Sequence, residues 1–137
     1  MRTLLPPLAT ALCCVGALAF CPSAVAAESA DQPTAEQLEF FESKVRPILV
    51  ERCYECHSGD QKEPKGGLKV DSRAALLAGG ETGPAVVPGN LKESLLIDAI
   101  NYGDLYQMPP KTRLPAEEVA VLTKWVKIGA PWPKEPP

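Results

Sequence analysis

Cys53-Tyr54-Glu55-Cys56-His57 is the stretch on which the reading of this sequence turns. Two thiols three positions apart on one helical turn can both reach one edge of a porphyrin and form thioether bonds to its vinyl groups. The next residue then points at the metal, so His57 can give an iron its proximal nitrogen. C-x-x-C-H is therefore an attachment sequence for one covalent haem c, with Cys53 and Cys56 as the bonded residues. Three other readings compete. A Cys53–Cys56 disulfide suits an exported protein, but a thioredoxin-like context needs a βαβ pattern, and none is visible. Zinc needs a fourth ligand, which only carboxylates could supply after two Cys and one His. An iron–sulfur cluster needs more Cys or His than the chain offers once the leader described below is removed.

Working outward, the whole chain has 137 residues, five Cys, one His, two Met and a formal net charge of -3. The length fits one domain. A hydrophobic content of 45% with 23% charged residues fits a globular protein. It excludes collagen, an acidic disordered tail and a basic nucleic-acid binder. Residues 1–27 read as a secretory signal peptide. Arg2 supplies the positive start, Leu8 to Phe20 the apolar run, and Ser23 to Ala27 the small residues for cleavage after Ala26 or Ala27. The run is short for a membrane anchor, and Phe20 is too large to precede a lipid-bearing Cys21. The expected destination is the periplasm or the outer face of the inner membrane, with membrane contact only during export or where the peptide stays uncleaved. Cys13, Cys14, Cys21 and Met1 belong to this leader. The mature chain then keeps Cys53, Cys56, His57 and Met108 as its whole set of Cys, His and Met.

Met108 opens Met108-Pro109-Pro110. Its thioether is soft and neutral, and Met/His ligation raises the reduction potential of haem iron. The two prolines would stiffen the loop that carries the sulfur. Met as core filler is the plainer alternative, but that role is more often filled from a helix face. The expected iron ligands are therefore His57 and Met108.

The remaining sequence predicts an all-α fold with long loops. Residues 28–35 read as a flexible N-terminus, 36–133 as the domain and 134–137 as a tail. Thr34 with Gln37 forms a capping box. Leu38, Phe41, Val45, Ile48 and Leu49 recur at helical spacing, and Pro47 predicts a kink or break near Val45–Arg46. Leu68 and Val70 suggest a short extended piece. Asp71 or Ser72 caps a helix through Ala78 that Gly79-Gly80 stops. Asn90 with Glu93 predicts the cap of another helix bearing Leu91, Leu95, Ala99 and Ile100. Residues 101–114 are irregular. Pro115 suits the first position of a last helix, whose apolar face is Val119, Leu122, Trp125 and Val126 and whose end is Gly129.

These residues resemble a known family. A helix leading into the C-x-x-C-H turn, an M-P-P loop and a C-terminal helix are similar to the class I cytochrome c fold. The likeness is closer to the planctomycete-type cytochrome c domain. FESKVRP, CYECHSG, KGGLKVDSRAALLAGGETGPAVVPGN, ESLLIDAI, QMPP and WVKIGAPWP follow in that order across about residues 38–133. The resemblance implies an exported monohaem domain ligated by His57 and Met108. It also implies that the first and last helices cross, residues 36–50 against 116–128, with Phe41, Trp125 and Val126 at the contact. Such domains typically form the N-terminal module of much longer proteins. This sequence stops at Pro137, which leaves open a free carrier, a truncated product or a fragment.

Finer expectations follow from position. The second ring nitrogen of His57 should donate to a carbonyl, with the loop around Pro64 as the candidate. Tyr102 and Tyr106 are candidate donors to haem propionates. Lys111 and Arg113 form a small positive rim, read either as a docking point for a redox partner or as a solvated loop. Lys62, Lys65 and Lys69 are diluted by Asp60, Glu63 and Asp71. The expected function is electron transfer between redox partner proteins, with no catalytic residues and no nucleic-acid partner. A haem enzyme or gas sensor with an open sixth position is the alternative.

Overall fold

Thr34 starts the ordered architecture as its side chains dictate. Its hydroxyl accepts from Gln37 N at 3.2 Å, and Gln37 Oε1 accepts from Thr34 N at 2.9 Å. This capping box opens α1, Ala35–Phe40. The structure is a computed structural model that describes residues 32–134. The leader reading, with Cys13, Cys14 and Cys21, lies outside the described residues.

The predicted kink at Pro47 is resolved differently. The chain passes through a π turn, Phe41–Val45, directly into α2, Arg46–Arg52. Arg46 N bonds Phe41 O, five residues back. Proline brings no N–H and would crowd the carbonyl four residues earlier. The wider turn relieves that conflict without ending the rod. It also places Phe41 and Val45, both with no exposed surface, on one side, and Ile48 and Leu49 continue the buried face along α2.

Among the described residues the remaining structure is helical and irregular, with a single isolated bridge between Gly80 and Gly83. A 3₁₀ turn, Lys65–Gly67, precedes α3, Arg73–Ala78. Ser72 caps α3 by accepting from Ala75 N at 3.1 Å. Asn90 does cap a turn, its Oδ1 accepting from Lys92 N and Glu93 N at 3.1 and 3.2 Å. The helix itself, α4, starts later, at Leu95, and runs to Ile100. The reason is Ser94. Its buried hydroxyl accepts from Val87 N at 2.9 Å and donates to Asn90 O at 2.6 Å, and its backbone is extended. The last helix, α5, is Ala116–Lys127, with Pro115 one position before the helix rather than inside it.

α5 packs on the π turn, which is the expected pairing of first and last helices. Phe41 lies 6.0 Å from Trp125 and 4.4 Å from Trp132 between ring centroids. Trp132 comes back onto the cluster because the chain reverses at Gly129 and Ala130, both with positive φ. Trp125 Nε1 donates to Pro131 O at 2.9 Å, which satisfies the one polar atom of a fully buried ring. Arg73 Nε donates to Ala130 O at 3.1 Å, so α3 is fastened to the end of α5, where a cation opposes the helix dipole. At the other end, Arg52 holds Glu118 through two bonds of 3.1 and 2.8 Å. None of the described helices is long and apolar enough to cross a membrane.

Phe41→Ala removes the centre of the aromatic cluster and should cost about 3–5 kcal/mol, against well under 1 kcal/mol for Val50→Ala on the exposed face. Urea denaturation followed by tryptophan fluorescence measures both.

Candidate functional site

A cleft lies between the end of α2 and the chain that leads to α5. One wall is the C-x-x-C-H turn. Cys53 N donates to Leu49 O at 3.0 Å, so the first thiol extends the last turn of α2. Cys56 N and His57 N both return to Cys53 O, at 3.1 and 2.9 Å. This fold-back brings Cys53, Cys56 and His57 onto the cleft together. Cys53 and Cys56 are free thiols, not a disulfide. Burial pushes the Cys53 thiol up to about 11, with the nearby Glu118 carboxylate adding to the shift.

The loop after the motif is hung on the motif's carbonyls. Lys65 N donates to Cys56 O at 3.1 Å, and Val70 N donates to His57 O at 2.8 Å. The expected bond from the His57 ring to a carbonyl near Pro64 is not formed. The loop meets the motif with N–H donors rather than acceptors, and His57 Nδ1 is buried without a partner.

Met108 stands on the same cleft. Its N–H donates to Ala99 O at 2.9 Å, which fixes the loop to the end of α4. The next peptide, Met108–Pro109, is cis. Tyr102 braces this loop from behind. Its φ is +61° and its hydroxyl donates to Pro109 O. The Arg113 guanidinium lies 4.4 Å from the Tyr102 ring centroid and donates to Asn101 O at 3.4 Å. Gly103 lies beside it against the Asp98 carboxylate, which a Cβ at that position would displace. Two expectations therefore change. Tyr102 uses its hydroxyl within the loop rather than toward the cleft, and Arg113 is a brace rather than part of an open positive rim. Tyr106 does line the cleft, where its hydroxyl bonds Thr82 Oγ1. No sequence pattern links those two residues, and Thr82 carried no signal.

Between the walls the surface is apolar. Leu68, Val70, Leu95, Leu96, Ala99, Ile100 and Leu114 line a cavity of about 250 Å³. The donor set suits haem c. It consists of two sulfurs for covalent bonds, an imidazole and a thioether, on an apolar cleft that would take a flat hydrophobic ring. Among the described residues no group of three or more His, Cys, Asp or Glu could hold a metal ion, so the zinc reading finds no carboxylate to complete it.

Residues 53–112 match the family model described as Planctomycete cytochrome C. The chain carries a cytochrome c family segment. It begins at the first thiol and ends beyond Met108, so it takes in both walls of the cleft. The resemblance read along the sequence is thus shown for this segment, while α1, the π turn and α5 lie outside the match. No curated protein and no solved structure matches the chain.

The raised Cys53 value has a direct consequence in haem-free protein. The thiolate fraction rises about tenfold per pH unit up to about pH 11. Alkylation of Cys53 by iodoacetamide should therefore be slow near neutral pH and accelerate throughout that range. Peptide mass mapping at stepped pH reads the rate.

Proposed function

We propose that the chain is an exported monohaem c-type cytochrome that passes electrons between redox partner proteins and is not itself a catalyst. The observation that carries this reading is the convergence of the Cys53, Cys56 and His57 segment with Met108, distant in sequence, on one apolar cleft. Bound haem would supply a one-electron Fe(III)/Fe(II) couple. Cys53 and Cys56 would hold it by thioether bonds. His57 and Met108 would be its iron ligands, and with both bound the iron would be an electron carrier rather than a substrate site. The apolar lining excludes water and disfavours the more highly charged oxidised state. The neutral thioether acts in the same direction, toward a higher potential.

The bracing around Met108 has a role in this scheme. A weak thioether ligand stays bound only where its loop holds it in place, and Tyr102, Arg113 and the Ala99 carbonyl supply that restraint. The packing of α5 on the π turn supports a class I cytochrome c architecture for the whole domain. The leader-like residues 1–27 support delivery to the periplasm or the outer face of the inner membrane, where haem is attached and soluble redox partners meet it.

The test is the mass and visible spectrum of protein made in an exporting host with haem-attachment machinery. One added haem is expected, and none in Cys53→Ala/Cys56→Ala. The ferric wild type should show a weak absorption band near the red end of the spectrum. Met108→Ala should lose it and lower the potential by on the order of a hundred millivolts, within the roughly 0.8 V that axial ligands span. A high-spin wild type would instead favour the open sixth position of a haem enzyme or gas sensor.

A further inference from the structure

The polar side chains of the cleft divide sharply. The thiols, the imidazole and the thioether face the expected ring, and Arg52 is held by Glu118. What remains is a small cluster at the rim: Thr82, Tyr106, Lys65 and Glu81. We propose that Thr82 and Tyr106 together receive a carboxylate of the bound haem, with Lys65 as the neighbouring cation. This deepens the haem reading and rests on it.

Ring chemistry sets the requirement. Thioether bonds at Cys53 and Cys56 take the vinyl-bearing half of the ring, and its two carboxylates leave from the other half. An ionised carboxylate is costly to bury without donors, so the acid edge needs a wet, donor-bearing rim. Thr82 is exposed and Tyr106 is 39% exposed, although both line a cleft that is otherwise apolar. Their hydroxyls bond each other. A hydroxyl pair contains two protons and uses one between its members, so the other is available to an anion.

The backbone holds this pair in position. Thr82 sits in a turn closed by reciprocal Gly80 and Gly83 bonds of 3.2 Å. A Cβ on Gly80 would lie 2.3 Å from Gly66 O, and one on Gly79 would lie 1.8 Å from Gly83 O. Only glycines permit this seating. Glu81 N donates to Gly66 O at 3.0 Å, which brings the turn alongside Lys65. Among the described residues Lys65 has no ion-pair partner, whereas Arg52 has one. The Glu81 side chain runs beside Gly67, whose added Cβ would meet its Cγ at 3.7 Å.

Resonance Raman spectroscopy of the holoprotein tests the assignment, because the carboxylate-bending band of bound haem responds to hydrogen bonds at that group. Thr82→Val removes one hydroxyl and touches neither iron ligand. It should move the band to lower frequency while the red-end ferric band persists. Tyr106→Phe should do the same, and Lys65→Gln should give a smaller shift. Lys62→Gln removes an equal charge away from the cleft and should give none. An unmoved band in Thr82→Val and Tyr106→Phe, or an equal shift in Lys62→Gln, overturns the proposal. Protein whose mass shows no attached haem fails the parent reading instead, before any Raman measurement.

Discussion

The apolar walls around the cleft cannot close on each other, and the rest of the structure is arranged around that fact. The C-x-x-C-H turn and the Met108 loop are each held by backbone bonds, at Cys53 O and Ala99 O, that set them on one apolar cleft. Apolar surface left to water lowers stability in proportion to its area. A group that binds only the folded state adds to its stability. A domain this small buries a modest core, so such a contribution is a large share of its stability. On the proposed reading, thioether bonds at Cys53 and Cys56 would keep such a group in place.

The remainder of the domain supplies stiffness to the two walls. Phe41, Trp125 and Trp132 form a cluster on the far side of the rod, and the Arg52–Glu118 pair ties the motif end of α2 to the start of α5. Exposed ion pairs contribute little energy. This one has a geometric use, because Arg52 immediately precedes the first thiol. Gly79 and Gly80 mark places where backbone comes too close for any side chain, and Gly103 lies against the Asp98 carboxylate. Two of the three lie in the turn that carries Thr82, and the third lies beside the brace of Met108.

Features carried by residue type and short spacing were legible in the sequence. The Thr34–Gln37 box, the Ser72 cap, the C-x-x-C-H turn and Met108 before two prolines all belong to that class, since their chemistry is complete within a few positions. What escaped depends on contacts between distant segments. Asn90 was a sound cap signal, but the buried Ser94 hydroxyl, bonded back to Val87, breaks the turn before α4. Pro47 announced a conflict without indicating that a π turn would absorb it. The place of Trp132 in the core depends on the reversal at Gly129 and Ala130. The pairing of Thr82 with Tyr106 and the stacking of Arg113 on Tyr102 arise only once the loops are folded. The bond expected at the His57 ring failed because the following loop approaches with donors, a detail that spacing does not encode.

The π turn also bears on the phase of the rod. Each residue of an α-helix advances the side-chain direction by about 100°. The wide turn at Phe41–Val45 holds one extra residue between the face that meets α5 and the end that presents Cys53. Loss of a single residue there would tighten the turn to ordinary α geometry and leave the segments on either side in nearly the same phase. The extra residue is thus taken up within the turn itself, and what it changes is local: Phe41 and Val45 both reach the buried side.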